Sequence, residues 1–509
     1  MESTHRTIKN SIYSFLGYGW PIIISLFITP VIVSGLGIKN YGIYIFFNTV
    51  LSFMGLLDFG VSTAVGKYLA EYHGRGDMHR IKALLATANT IFLGVGVAGL
   101  IVFLVGVALP SIFPIFSDYG DYKIGLIAAG LLFLVSSISS TYTLVVTALQ
   151  RFDVGTKIGI ASLTVQQISI LILVLNHYSI NAIFVTQLIF IIITLFVQVR
   201  ACQKIMPETV YRLGWDKIEA KKSYIFGLVT FLNNMATVSL TYLDRLIMPF
   251  FLGPSALTYY SLPGNIAMKV PGVSNSLAAV LFPMASSLSG SGEFDRLKTL
   301  YIRSFRLITV LAAAISVTAI AFSRELLTYW ISPDLAAKAT TVMIILVVTN
   351  FVLALTGPLS SFLLGLGKLK FLTTLSIIMA LINTILLVIL MPIAGITGAA
   401  WAYLLSLIPS IYMFYYTEQH YLKLDRRMHY YVNIIWKNLL VSVIMLFIAR
   451  FVGAQFVHSL TSVFAIGAVI GIMYLTLYYL FGFFEQEDVE SMKLFFKKIS
   501  KRNDPVTSN

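Results

Sequence analysis

Residues 74–109 read GRGDMHRIKALLATANTIFLGVGVAGLIVFLVGVAL: a polar turn carrying Arg75, Arg80 and Lys82, then a run over 83–109 without one charge. A helix crosses a bilayer core with about 20 mostly apolar residues. The run shows none of the ~10-residue apolar/polar alternation of a barrel strand. It therefore reads as a membrane-spanning helix with its basic end held on one side. Working outward, the same pattern recurs at approximately 11–34, 41–66, 123–149, 158–176, 180–199, 225–252, 256–286, 304–330, 339–366, 371–391, 394–416, 437–457 and 459–483. The expected fold is an all-α integral membrane protein of about 14 transmembrane helices. The first run follows a short polar start, lacks a small-residue cleavage site and exceeds a signal-peptide core, so it reads as a retained span. The run 256–286 is interrupted by Pro263, Pro271 and Pro283.

Composition agrees. Of 509 residues, 58% are apolar and 11% charged, against roughly 45–50% and about 25% in soluble domains. This excludes disordered, fibrous and multidomain cytosolic proteins. Cys202 is the single cysteine, so neither an intramolecular disulfide nor a cysteine metal cluster is possible. The net charge is +14. With the N-terminus placed in the cytoplasm, 29 of the 36 Lys and Arg fall in cytoplasmic segments, five in external ones, and Arg245 and Lys269 within spans. That asymmetry sets orientation. Both termini are expected in the cytoplasm, and the basic surplus needs no nucleic acid to explain it. The longest connection, Ala201–Ser223, leaves no room for a soluble catalytic domain. The expected domains are a six-helix bundle over 1–200, a linker over 201–224, a second bundle over 225–416, a loop over 417–436, two extra spans within 437–483, and a tail over 484–509 that turns from acidic to basic.

The two bundles read as a duplication. Gly74-Arg75-Gly76-Asp77-Met78-His79-Arg80-Ile81-Lys82 matches Gly290-Ser291-Gly292-Glu293-Phe294-Asp295-Arg296-Leu297-Lys298 at an offset of 216. The same offset pairs Ile180-Asn181-Ala182 with Ile396-Thr397-Gly398, and an offset of 219 pairs Pro30 and Tyr41 with Pro249 and Tyr260. Six helices is an even number, so the copies enter the membrane in the same sense, as parallel repeats in transporters do. A central cavity between such halves suggests transport.

Polar residues fall in stripes at helical spacing: Ser14, Tyr18, Pro21, Ser25 and Thr29; Asn48, Ser52 and Gly55; Asn234, Thr237, Thr241 and Arg245; Asn265, Lys269, Gly272 and Ser276. Such stripes line a cavity or pack helices against each other. Four ionisable residues lie within spans: Asp58, Asp244, Arg245 and Lys269. A charge near the bilayer centre costs about 3 kcal/mol or more on insertion scales. The four are candidates for function or for a buried structural network. Asp244 and Arg245 diverge by about 100° around a helix, so each needs another partner, for instance Asp58 or Lys269. The prolines of spans 1, 7 and 8 serve as bending points or static kinks. No HExxH spacing, Walker motif or Ser/His/Asp set occurs, which leaves no candidate for a metal centre, ATP hydrolysis or nucleophilic catalysis.

The stretch Leu56-Leu57-Asp58-Phe59-Gly60, Tyr68-Leu69-Ala70-Glu71 running into Gly76-Asp77, Leu243-Asp244-Arg245 with Leu252-Gly253 and Tyr259-Tyr260, and Ala394 to Ala400 resemble the polysaccharide transporter family of the multidrug/oligosaccharidyl-lipid/polysaccharide flippase superfamily. The resemblance implies two bundles around a cavity lined by helices 1, 2, 7 and 8. It implies flipping of polyprenyl-diphosphate-linked oligosaccharide (an O-antigen, capsule or exopolysaccharide unit) from the cytoplasmic to the outer leaflet of a bacterial inner membrane. Arg245 and Lys269 would meet the diphosphate, and Asp58 and Asp244 would balance charge or couple to ions, with Asn234, Thr241, Asn265, Asn48 and Ser25 completing the lining. The four charges cancel, whereas some relatives have strongly cationic cavities. No cofactor is expected; an ion gradient or the membrane potential would drive transport. Membrane lipid, a glycan polymerase and glycosyltransferases of the same pathway are the expected partners. Lipid II flipping and cation-coupled drug export are the alternatives within transport. A membrane-embedded glycan polymerase would need an external loop or paired interfacial carboxylates, and neither is visible.

Overall fold

Where helices begin and end follows from how the backbone is closed there. The computed structural model describes residues 2–109, 122–207, 211–422 and 429–484. Its principal helices are α1 (Glu2–Met54), α2 (Val61–Arg75), α3 (Met78–Ala108), α4 (Lys123–Ala148), α5 (Phe152–Leu175), α6 (Ile180–Ile205), α7 (Lys217–Leu252), α8 (Pro254–Ala267), α9 (Gly272–Gly290), α10 (Phe294–Ala321), α11 (Ser323–Trp330), α12 (Pro333–Gly365), α13 (Leu369–Ser406), α14 (Ser410–Thr417), α15 (His429–Phe451) and α16 (Leu460–Leu480). No strand occurs among the described residues. Asp77, Asp216, Ser332 and Ser459 cap α3, α7, α12 and α16 by accepting N–H groups of the first turn. The expected tail over 484–509 lies almost wholly outside the described residues.

The protein spans a membrane as an all-helical bundle. Among the described residues, eleven helical segments are long and apolar enough to cross one, so the expected fourteen is not reached by that measure. Two of the eleven, Gly19–Asp58 with 40 residues and Leu369–Tyr421 with 53, exceed at 1.5 Å per residue the ~30 Å core needed for one crossing. Both are bent at a glycine: Gly37 (φ 77°, ψ 162°) and Gly395 (φ 58°, ψ −139°). Two expected spans are broken instead. The run 41–66 stops at Met54, continues as a tight turn over Gly55–Asp58, and restarts at Val61. The run 256–286 divides at Met268–Pro271 between α8 and α9. The expected loop over 417–436 holds a π-turn at Glu418–Leu422 and the start of α15.

The duplication is written into the backbone. Gly37 and Gly253, 216 positions apart, share one conformation (φ 77° and 79°, ψ 162° and 167°). Gly76 and Gly292, at the same offset, end α2 and α9 in the left-handed region (φ 71° and 77°). After each, equivalent bonds close the turn: Asp77 N–H donates to Tyr72 O and Glu293 N–H to Leu288 O, both at 3.0 Å. Arg80–Asp77 and Arg296–Glu293 repeat as i,i+3 pairs.

By contact the chain divides into two compact units, Met1–Ser261 with Met391–Ile396, and Leu262–Leu390 with Thr397–Asn509. In the first, α3 packs on α4, α4 on α6, α1 on α5 and α2 on α7. Val65, Leu69, Ile81, Leu84, Val145 and Cys202 form one core there, and Phe47, Phe133 and Phe184 anchor another. In the second, α9 and α10 pack on α12 and α10 on α15, around Tyr301, Phe305, Phe362 and Tyr431. Broad apolar faces are exposed, such as Ile192, Ile193 and Phe196 on α6, as lipid contact requires.

The segment Asp58-Phe59-Gly60 shows how a break inside a span is held. Phe59 and Gly60 both adopt positive φ (49° and 75°), and α7 approaches so closely that a Cβ on Gly60 would sit 2.3 Å from the Gly227 carbonyl oxygen. Gly60→Ala is expected to lower the thermal midpoint of the detergent-solubilised protein markedly, because an Ala would meet both left-handed strain and rigid backbone. Gly55→Ala, at a site with nothing within 4 Å, should leave it unchanged. Equal midpoints for the two variants would refute this account of the break.

Candidate functional site

The first unit holds a buried acid–base pair. Asp244, on α7, is 2% exposed and its neighbour Arg245 is 9%. Adjacent helical side chains cannot face each other, and Asp244 instead accepts the hydroxyl of Tyr260 on α8 and, at 2.7 Å, the backbone N–H of Arg245. The Arg245 guanidinium lies 5.4 Å from the Tyr242 ring centre, a cation–π contact. Neither Asp58 nor Lys269 is needed as partner to the acid.

What brings Tyr260 to Asp244 is the turn at Gly253, which starts α8 alongside α1. Thr258 Oγ1 donates to Ile38 O at 2.7 Å, and Gly42 leaves room for the Pro254 carbonyl, which a Cβ would meet at 1.9 Å. On α1 beside this staple, the Tyr41 and Tyr44 rings lie 5.9 Å apart. Gln187 Nε2 donates to Tyr44 Oη at 3.1 Å, and Asn48 Nδ2 donates to the Tyr44 carbonyl at 2.8 Å. The site is thus a buried polar and aromatic cluster drawn from α1, α6, α7 and α8. The pairing of Tyr41 with Tyr260 in the sequence marked the duplication, but the tyrosine's role as acid partner was missed.

Asp58 ends a short 3-10 turn, Gly55–Asp58, rather than lying within an α-helix. It sits in the tight turn before α2, where its carboxylate accepts Gly60 N–H at 2.8 Å, Ser62 N–H at 3.3 Å and the Ser62 hydroxyl. These bonds close the start of α2. Ser25, Ser52, Thr237 and Thr241 are half-buried or exposed, and each hydroxyl donates to a carbonyl of its own helix at 2.8–2.9 Å. Their donors are committed, so outward they offer oxygen lone pairs, which suit a ligand rich in hydroxyl donors. Asn234 is exposed on α7. In the second unit, Asn265 is half-buried near the end of α8, and Lys269 is exposed in the Met268–Pro271 turn rather than in mid-helix. The side chains of Ser14, Tyr18 and Ser276 lie outside the described residues.

Two buried charge groups were missed. Glu219, expected as a solvated linker residue, is 3% exposed. Both its oxygens accept the Tyr72 hydroxyl, at 3.0 and 2.9 Å, while Lys222 Nζ donates to Tyr72 Oη at 3.2 Å and stands 3.7 Å from the carboxylate. The bond to Tyr72 chiefly, with the nearby carboxylate, holds the Lys222 ammonium above its ordinary range. The linker is strapped to α3, where Asn89 Nδ2 donates to Arg212 O and Thr90 exchanges bonds with Gly214. In the second unit Arg306, just inside the expected span 304–330 though counted with the cytoplasmic charges, is 3% exposed inside α10, and Glu418 is 2% exposed at the π-turn. Among the described residues, no three His, Cys, Asp or Glu side chains converge as metal ligands.

A family model for "Polysaccharide biosynthesis protein" matches residues 36–334, more than half of the chain. A Shigella flexneri protein named "Putative O-antigen transporter" is 22% identical over 395 residues, covering 71% of this chain and 86% of that one. The structure superposes on the lipid II flippase MurJ in an inward closed conformation with a TM-score of 0.66, at 15% identity, over 93% of this chain and 99% of that one. An outward-facing multidrug resistance MATE family transporter of the MOP superfamily gives 0.58, at 14% identity, over 83% and 97%. These likenesses at low identity define the fold.

If Tyr260 is what makes a buried Asp244 tolerable, Tyr260→Phe should cost about 1–3 kcal/mol, the penalty for a buried group stripped of a donor. Adding Asp244→Leu should then cost less than the two single changes summed. Thermal unfolding of the four proteins in detergent measures this, and strict additivity would rule the pairing out. Tyr72→Phe should destabilise through Glu219 by a similar amount, with Lys222→Gln costing less because that lysine is one-third exposed.

Proposed function

Since the chain belongs to the polysaccharide biosynthesis protein family, we propose that it is a flippase carrying polyprenyl-diphosphate-linked oligosaccharide, an O-antigen, capsule or exopolysaccharide unit, from the cytoplasmic to the outer leaflet of a bacterial inner membrane. The observation that carries this reading is the coincidence on one chain of that family match with a MurJ-like fold over 93% of its length. Transport proceeds by alternating access, with both termini in the cytoplasm, and an ion gradient or the membrane potential drives it. The exposed lone pairs of Ser25, Ser52, Thr237 and Thr241 would accept sugar hydroxyls, while the polyprenyl tail stays in apolar surroundings.

In this reading Lys269, exposed at a helix break, and Arg245, behind Tyr242, are the cations available to the diphosphate. Asp244 and Tyr260 hold Arg245 in place and keep the buried charge balanced. Asp58 acts by fixing the start of α2. The glycan polymerase and glycosyltransferases of the same pathway would supply and consume the lipid-linked unit.

Deleting the gene should cause complete lipid-linked units to accumulate on the cytoplasmic face. Accumulation of unpolymerised units on the outer face would overturn the proposal in favour of a polymerase. At matched membrane levels, Lys269→Ala and Arg245→Ala should each cut surface glycan at least severalfold. Wild-type glycan from both variants would remove these residues from the substrate path.

A further inference from the structure

Within the first unit, α2 belongs to the first copy of the duplicated sequence and α7 opens the second, so the seam between them joins copy to copy. The two helices run antiparallel, with Tyr72 meeting Glu219 at one end and Phe59 meeting Phe231, ring centres 5.1 Å apart, at the other. The seam is graded along its length. Deep in it, bare backbone makes the contact: a Cβ on Gly227 would sit 2.8 Å from the Phe59 carbonyl oxygen, and one on Gly60 2.6 Å from Thr230 Oγ1. Nearer the linker, Lys67 Nζ lies 4.3 Å from the centre of the Phe226 ring. At the linker end the bonds become polar. Both Glu219 oxygens accept the Tyr72 hydroxyl, Arg80 of α3 stands 5.7 Å from the Tyr72 ring centre, and Thr87 Oγ1 accepts Asp216 N–H at 3.1 Å.

This gradation suits a contact that opens. Under the orientation proposed above, the polar end faces the cytoplasm, where water is at hand. Parting it leaves no group stranded, because water takes over the Glu219 carboxylate and the Tyr72 hydroxyl, and such an exchange of bonds is worth little net. The deeper glycine contact is dispersion, weak for each pair of atoms. A seam that stays shut is served as well or better by an apolar pair of like volume, which spares the desolvation of a buried charge. Nor does the duplicated fold require these groups. At the offset of 216, Tyr72 has Leu288 as counterpart, and Glu219, Gly227 and Gly60 have Ser3, Ser11 and Ser276. The carboxylate, its phenol and the glycine pair are particular to this seam.

We propose that the α2–α7 seam is the cytoplasmic closure of the transport path, shut in this structure, and that the Tyr72–Glu219 contact is its releasable latch. The proposal rests on the flippase reading and adds to it the place where the path opens. On release α7 draws away from α2, and Thr230, the first residue of the apolar span Thr230–Leu252, meets water from the cytoplasm.

The test places Thr230→Cys as a reporter in full-length protein, with Cys202→Ser removing the single native thiol, and follows its labelling by a membrane-impermeant maleimide in inverted membrane vesicles. Tyr72→Phe strands the carboxylate only while the seam is shut, so labelling should quicken about fivefold or more. Tyr260→Phe, which strips a donor from a different buried carboxylate, should leave the rate unchanged. Tyr72→Phe combined with Glu219→Leu makes the seam apolar, and should return labelling to the starting rate or below while surface glycan falls severalfold. Should Tyr72→Phe fail to fold, Lys67→Cys with Phe226→Cys, bridged by a short cleavable bis-methanethiosulfonate, should stop production of new surface glycan until a reductant cuts the bridge. Labelling that ignores Tyr72→Phe, or that rises equally with Tyr260→Phe, overturns the latch. Full glycan production with the seam bridged overturns the closure and leaves the flippase reading intact. A deletion strain that keeps its surface glycan defeats both.

Discussion

In a bilayer no water is available to a backbone N–H or C=O, so every interruption of a helix must be closed by the protein itself. This chain interrupts its helices repeatedly within apolar stretches, at Gly37, Gly55–Gly60, Gly253, Met268–Pro271 and Ala394–Gly395. Each break brings its own closure. Asp58 supplies three acceptor bonds at the start of α2, and Thr258 reaches back to the Ile38 carbonyl just after the Gly37 bend. The polar residues most visible in the spans are therefore first of all what allows the helices to stop and turn. Function is built on positions that the backbone already required.

The same economy governs the buried charges. Asp244 accepts a tyrosine hydroxyl and its neighbour's N–H, and Glu219 is held by another tyrosine. A hydroxyl satisfies a carboxylate at lower desolvation cost than burying a second full charge beside it. The Arg245 guanidinium stands against the Tyr242 face.

The membrane fold was legible because apolar length and basic asymmetry are summed over many residues, and a misjudged boundary changes neither. The duplication was legible for the same reason that it persists: Gly76 and Gly292 occupy left-handed backbone conformations that favour glycine. The site was legible only as a set of unusual residue types. Asp58 looked like a buried charge because nothing local but Phe59-Gly60 announced a turn, and the sequence does not state that Gly227 packs there. Tyr260 could be linked to Asp244 only once the Gly253 turn had folded the chain back. Glu219 lay in a segment polar enough to pass for a loop and Arg306 just inside the start of an expected span, and their burial comes from the straps at Asn89 and Thr90 and from the packing of α10 on α12 and α15. Partners set by tertiary contact leave no periodic trace.

The two copies of the duplicated turn have diverged in what holds them in place. Tyr72, which anchors the first turn to the buried Glu219 and so to the start of α7, has Leu288 as its counterpart 216 residues on. Leu288 packs against the apolar core of its own unit. The second turn keeps the glycine and the Arg296–Glu293 pair, but that pair is exposed, and exposed ion pairs hold little. One turn is thus tied to the linker by a buried polar network and the other is not, although their backbones close alike. The exchange of the Tyr72 phenol for the Leu288 alkyl group between the copies makes that difference.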